Sequence, residues 1–407
     1  MVLRSQIEQV VANQSRLYNA KKSEVQRECV SLINPLDGFA NIITGLRRCG
    51  KSTLMQQVAK RYHKKDVLFL NFEDINLTGF EADDFKRLYA YIIDSKAEVL
   101  FFDEIQIVSG WEIFVHQLLR EGFCVYVTGS NASMLSVELG THLTGRHIST
   151  ELFPFSYVEY LTFLKKNQNE DSFMQYLVEG GMPEYLATKD KRVLLTMLDD
   201  ILIRDVAIRH NIRNIEPLRK LASYMLTNIA KPYTASRLVS VADNIATSSA
   251  LDYISYMRDA YLIDSIGQYA TSVRTTQRNP KKVYAIDIGI SNAVSLSQTD
   301  DYGRMLENYV YLNLRKQHKD HIYYYQGNGE CDFVVTDNHN KPQALYQVCL
   351  KLTDENIPRE VGGLREAMGQ LALQSGTIVT LSDEERLEVP EGVIDIVKAY
   401  SIKNITK

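Results

Sequence analysis

Nothing in this chain of 407 residues approaches the roughly 20 consecutive apolar residues that span a bilayer. The opening stretch "MVLRSQIEQVVANQSRLYNAKK" also lacks the apolar core of a secretory signal. These two absences predict a cytoplasmic protein off the membrane. Cysteine is sparse: five residues, scattered, odd in number and without CxxC spacing, which argues against a disulfide framework and a zinc cluster. Charge of one sign is missing too. The formal net charge is −4, so any nucleic-acid contact must come from a local basic patch. No internal repeat or low-complexity tract interrupts the chain, and its length suits two or three domains.

What is present is a rhythm. Residues 1–36 read as an amphipathic helical segment. The apolar run "NIITG" follows, and then "DVLFLNFED", "AEVLFFDEIQ" and "GFCVYVTGSN" alternate with helical stretches. Buried strands separated by helices predict a parallel α/β sheet. We place an α/β core at 37–160, a helical connector at 161–215, a third segment at 216–292 and a final mixed region at 300–407.

Between the first strand and its helix lies Gly45-Leu46-Arg47-Arg48-Cys49-Gly50-Lys51-Ser52, a complete GxxxxGK[ST] phosphate loop. Its glycines let successive N–H groups turn toward one point, and the helix that follows adds its positive end. Gly45, Arg48, Cys49, Gly50, Lys51, Ser52 and Thr53 are the expected ATP-binding set. Lys51 is expected on the β- and γ-phosphates and Ser52 on Mg²⁺. In "VLFFDEIQ", four apolar residues precede Asp103 and Glu104, so both acids emerge at a strand end. Asp103 suits the Mg²⁺ shell and Glu104 suits polarising the attacking water. The next strand ends in Thr128, Ser130 and Asn131; of these Asn131 is the expected contact for the γ-phosphate or the water.

With these motifs the chain resembles the AAA-superfamily ATPases of bacteria and archaea that carry a C-terminal restriction-endonuclease-like domain. The residues that carry the resemblance are "ITGLRRCGKSTL", "NFED", "LFFDEIQ", "TGSNASML", "LTGRHISTELFPFSYVEY", "EGGMPEYL", "LENYVYLNL" and "GECDFVV". It implies that Asp103 and Glu104 form the second nucleotide motif and that Asn131 is a sensor. It also implies that Arg146 reaches the γ-phosphate of a neighbouring subunit, with Arg204 and Arg209 as rivals, and hence a homo-oligomer.

The segment 216–292 reads as a winged-helix module, with a basic wing carrying Arg274, Arg278, Lys281 and Lys282. Residues 204–282 hold 12 Lys and Arg against 6 Asp and Glu, which fits contact with a phosphate backbone. DNA, duplex or branched, is the expected partner. In the last region the resemblance implies a glutamate, an aspartate and an ExK motif. The chain offers Glu307 and Asp332, but it reads Gln347-Val348-Cys349 where ExK belongs. That departure predicts a degenerate nuclease-like site in a binding or scaffolding domain. The expected function is Mg²⁺-dependent ATP hydrolysis coupled to DNA binding or remodelling. The alternatives are an ATP-driven switch acting on a protein partner and an ATP-regulated nuclease.

Overall fold

Strand segments buried along their whole length are stable only inside a sheet covered on both faces, and β1 (Ala40–Gly45) and β3 (Val99–Asp103) are of that kind. With β2 (Val67–Asn71), β4 (Cys124–Gly129) and β5 (His147–Leu152) they form a sheet in the order β2-β3-β4-β1-β5. Every neighbouring pair in it is parallel. The computed structural model describes residues 1–20, 25–62, 67–131, 145–270, 279–295 and 301–401. It divides into two compact units. One is Met1–Phe163 with Asp259–Tyr261, and the other is Leu164–Arg258 with Leu262–Lys407.

In the first unit the helices are α1 (Arg4–Ala20), α2 (Lys51–Tyr62), α3 (Phe85–Ser95), α4 (Trp111–Arg120) and α5 (Tyr157–Leu164). Phe72, Phe85, Phe102, Trp111 and Phe114 pack into one core cluster. Phe102 meets Phe72 at 6.0 Å and Phe114 at 5.9 Å between ring centroids. This anchors the end of β3, immediately before Asp103. The amphipathic helix expected over 1–36 is shorter than that: α1 ends at Ala20, and Glu28–Leu32 is a short 3-10 turn. Between the two lies Arg27, an extended residue whose N–H donates to Gln57 Oε1 at 2.8 Å and whose side chain is buried. Strand β5 has no apolar signature, because it is a partly exposed edge strand paired only with β1.

The second unit opens with α6 (Glu170–Glu179), α7 (Pro183–Thr188) and α8 (Lys191–Asp200), which runs into a π-helix, Ile201–Ile208. Next come α9 (Glu216–Thr227), β6 (Pro232–Tyr233), α10 (Ala235–Val241), α11 (Thr247–Asp259), β7 (Ile263–Gly267) and β8 (Lys281–Ala285). The three strands form an antiparallel sheet in the order β6-β8-β7. After α12 (Ile288–Val294) and α13 (Tyr302–His318) follow β9 (Ile322–Gln326), β10 (Glu330–Thr336) and β11 (Pro342–Val348). Then come α14 (Ile357–Leu371), β12 (Ser375–Thr380), β13 (Glu385–Val389) and β14 (Gly392–Lys398). These six strands form a mixed sheet in the order β13-β14-β12-β11-β10-β9. Helix α14 is the crossover that a parallel β11–β12 pair requires. A bridge between Gln268 and Tyr324 joins β7 to β9. No helix among the described residues is long and apolar enough to cross a membrane.

The single tryptophan, Trp111, is buried in the first unit, so its fluorescence reads the unfolding of that unit. Phe102→Ala is expected to lower the stability reported by Trp111 in urea by about 3–5 kcal/mol, the usual cost of deleting a buried ring.

Candidate nucleotide site

The loop from Gly45 to Ser52 leaves the end of β1 and enters α2 at Lys51, so Lys51, Ser52 and Thr53 form the first turn of that helix. Gly45 has φ 144°, and a Cβ there would lie 2.1 Å from the carbonyl oxygen of Leu152, at the end of β5. Gly50 has φ 105°, and a Cβ there would meet the Arg27 guanidinium at 3.3 Å. Both glycines are therefore fixed by close approach as well as by backbone angle. Arg48 adopts φ 60° on the exposed outside of the loop. The Cys49 thiol is buried against the Leu152 carbonyl at 3.5 Å, and burial pushes its pKa up. Cys49 thus offers the loop its backbone and not its side chain.

Beneath the loop lies Arg27, which the sequence reading missed. Its Nε pairs with Glu159 at 2.9 Å, one terminal nitrogen donates to the Cys49 carbonyl at 2.8 Å, and the other donates to the Phe153 carbonyl at 2.5 Å. Both Arg27 and Glu159 are buried. The Phe155 ring lies 5.0 Å from the guanidinium carbon. The pair carries no local motif, because Arg27 and Glu159 stand 132 positions apart.

Lys51 Nζ donates to the carbonyls of Gly45 at 3.1 Å and Leu46 at 3.2 Å, and it lies 3.9 Å from Glu104 Oε1. Ser52 Oγ donates to Asp103 Oδ2 at 2.6 Å, and Asn71 Nδ2 donates to the same oxygen at 3.0 Å. Thr128 Oγ1 donates to Asp103 Oδ1 and accepts the Glu104 N–H at 3.2 Å. The sheet order accounts for this convergence: β4 lies between β1 and β3, so Thr128 stands between the phosphate loop and the acids. Parallel sheets of this kind bind ligands outside the carboxyl ends of their strands. Glu104 takes φ 55°, a left-handed conformation unusual for a side chain of its size. Burial raises its pKa, while Lys51 pulls it the other way. Asn71 continues the network outward, exchanging backbone bonds with the Gln14 amide, N–H to Oε1 at 2.7 Å and Nε2 to O at 3.1 Å. A hydroxyl and a carboxylate 2.6 Å apart are the hard oxygen donors that Mg²⁺ takes.

The structure therefore brings together Gly45, Gly50, Lys51, Ser52, Asp103 and Glu104. Asn131 is fully buried just beyond β4. Arg146 is exposed, and its carbonyl accepts the Ala40 N–H at the start of β1, at the opposite end of that strand from the loop. Arg204 is exposed in the π-helix, 3.9 Å from Asp200, and Arg209 follows it. Of the expected basic wing, Arg274 and Arg278 lie outside the described residues. Lys281 is half-buried at the start of β8. Lys282 requires correction: it is buried and ion-paired with Glu307, Glu330 and Asp332, so its charge is not presented to a nucleic acid. Asp332 and Gln347 adjoin, the Asp332 N–H donating to Gln347 Oε1 at 3.2 Å.

Removing one partner of a buried pair leaves an uncompensated charge and costs about 3–5 kcal/mol. Arg27→Ala is expected to destabilise the first unit by that order, read by Trp111 fluorescence. It should also weaken binding of a fluorescent ATP analogue about tenfold or more. Arg27→Lys, which keeps the charge without the planar fork, should fall between it and the parent.

Residues 38–161 match the AAA-domain family, and residues 170–301 match a domain family of unknown function, DUF8612. The chain is 32% identical over 408 residues to the uncharacterized protein MJ1544 of Methanocaldococcus jannaschii, across 93% of this chain and 91% of that one. An uncharacterized protein of Haemophilus influenzae is 27% identical over 302 residues, across 69% of this chain and 75% of that one. Among solved structures, AMPPCP-bound DnaA from Aquifex aeolicus covers 57% of this chain and 85% of its own, at 14% identity and a TM-score of 0.27. A similarity that loose carries no functional weight. The chain belongs to the same family as MJ1544, and its residues 38–161 are a P-loop domain of AAA type.

Proposed function

We propose that this protein is a Mg²⁺-dependent ATPase that binds or remodels DNA through the module at 216–292. The observation that carries the ATPase reading is the convergence of Lys51, Ser52, Asp103 and Glu104 on one point at the strand ends. In this reading Lys51 meets the β- and γ-phosphates, Ser52 and Asp103 hold Mg²⁺, and Glu104 orients the attacking water and takes its proton. The ion supplies charge neutralisation across the phosphate oxygens. A raised pKa on Glu104 suits a base that must accept a proton near neutral pH. Asn131 senses the γ-phosphate. Arg146, exposed at the far end of β1 from the loop, suits an arginine that serves a neighbouring copy, and so a homo-oligomer.

The DNA part of the proposal is supported by element order. Helix α9, strand β6, helices α10 and α11, then β7 and β8, with the sheet ordered β6-β8-β7, is an order compatible with a winged helix and supports that reading. A second reading, a switch acting on a protein partner, is favoured by two observations. Lys282 is withdrawn from the wing, and Ile203 and Ile208 stand exposed on the π-helix.

Glu104→Gln is expected to retain nucleotide binding while turnover falls about 10²–10⁴-fold, the usual contribution of a general base; Lys51→Ala should lose binding as well. The DNA reading is tested by ATPase rates with duplex, single-stranded and four-way-junction DNA at low and moderate salt. Stimulation by one form, steeply weakened by salt and lost in Arg278→Ala with Lys281→Ala at unchanged basal rate, is the expected result. A rate indifferent to every DNA form would sink the DNA reading and leave the protein-partner switch.

A further inference from the structure

The second unit gathers acids and a lysine around a cavity of about 940 Å³, walled by residues from β8, α13, β10, β11 and α14. Strand β8 carries Lys282 inward. Its Nζ lies 3.1 Å from Glu307 Oε1, 2.6 Å from Glu330 Oε1 and 2.9 Å from Asp332 Oδ1. An ammonium has three N–H donors, and three carboxylates from two elements use all of them. Those acids are engaged elsewhere too. Glu307 Oε1 also accepts the Tyr284 hydroxyl at 2.8 Å, and Asp332 Oδ2 accepts the Val348 N–H at 2.9 Å. Burial and the neighbouring Asp332 raise the pKa of Glu307, while Lys282 pulls it the other way.

We propose that Lys282 takes the place of a metal ion at this carboxylate centre, so that the nuclease-like site is a metal-free fastening between β8 and the C-terminal sheet. A divalent centre for phosphodiester cleavage does not fit the residues present. The point on which Glu307, Glu330 and Asp332 converge is taken by Lys282 Nζ itself. Gln347, at the position where a third acid belongs, accepts from the Asp332 N–H at 3.2 Å and donates to Glu360 at 2.6 Å, so its amide is committed at both ends. Lys282 offsets part of the charge of the three acids and ties β8 to α13 and β10. Two contacts reinforce the same junction: the Tyr324 hydroxyl donates to the Pro280 carbonyl at 2.7 Å, and the Tyr269 N–H donates to the Tyr324 carbonyl at 2.7 Å.

The inference rests on the geometry of this centre and not on the ATPase reading, and its test is separate. Mn²⁺ binding is measured by electron paramagnetic resonance on the full chain without nucleotide, in an Asp103→Asn background that silences the first-unit site. The parent is expected to bind no Mn²⁺ that Asp332→Asn removes. Lys282→Met, which strips the ammonium from the acids, should gain one ion per chain that the parent does not bind; adding Asp332→Asn should abolish it. Lys282→Arg should gain none. A parent ion lost on Asp332→Asn overturns the proposal, as does a folded Lys282→Met that gains nothing. If Lys282→Met does not fold, the parent and Asp332→Asn comparison still decides.

Discussion

The Arg27 guanidinium is the point at which four stretches of the first unit meet. Its donors reach the phosphate loop at the Cys49 carbonyl, the chain after β5 at the Phe153 carbonyl, and α5 at Glu159, while its own backbone N–H is taken by α2 at Gln57. Glu159 in turn accepts the N–H groups of Glu28 and Ser156, so both of its oxygens are used. A buried ion pair with such complete hydrogen bonding adds little net stability compared with an apolar pair, but it fixes geometry closely. Here the geometry is that of the loop. A side chain at Gly45 would collide with the Leu152 carbonyl, and one at Gly50 would press on the guanidinium at a φ of 105° that L-residues rarely adopt.

Above that floor, the acids are placed by strand packing and oriented by hydroxyls and amides. The aromatic cluster around Phe102 sets where β3 ends, and Asp103 is its last residue. Asp103 then has a donor on every side: Ser52 from the loop helix, Asn71 from β2 and Thr128 from β4. Each of these comes from a different element, so the carboxylate reports the alignment of two strands and the loop helix. Thr128 also holds the Glu104 N–H, which ties the two acids to the strand lying between them and the loop.

Much of this was legible in the sequence because it is local. The phosphate loop, the apolar run before Asp103 and the polar end of β4 are each contained in a short window whose residue types have one physical reading. The strands buried on both faces were readable for the same reason. Strand β5 was not, since an edge strand of "HISTEL" composition has no apolar alternation to betray it. Arg27 and Glu159 were invisible as a pair because pairing across 132 positions leaves no spacing signature. Lys282 was misjudged for a related reason. Next to Lys281 in a polar stretch it looks like a solvated charge, yet in β8 successive side chains point to opposite faces, and its own face is turned to the acids of a later domain segment.

The Gln14 side chain imitates a strand. By giving its Nε2 to the Asn71 carbonyl and taking the Asn71 N–H on its Oε1, it fills both ladder positions of that residue on β2, the outermost strand on that side of the sheet. A bare sheet edge is a template on which another chain can polymerise. Helix α1, lying along β2 with Tyr18 stacked on Phe69 at 4.6 Å, closes that template near the nucleotide loop. At Asn71, then, another chain finds no free ladder position on this edge of the sheet.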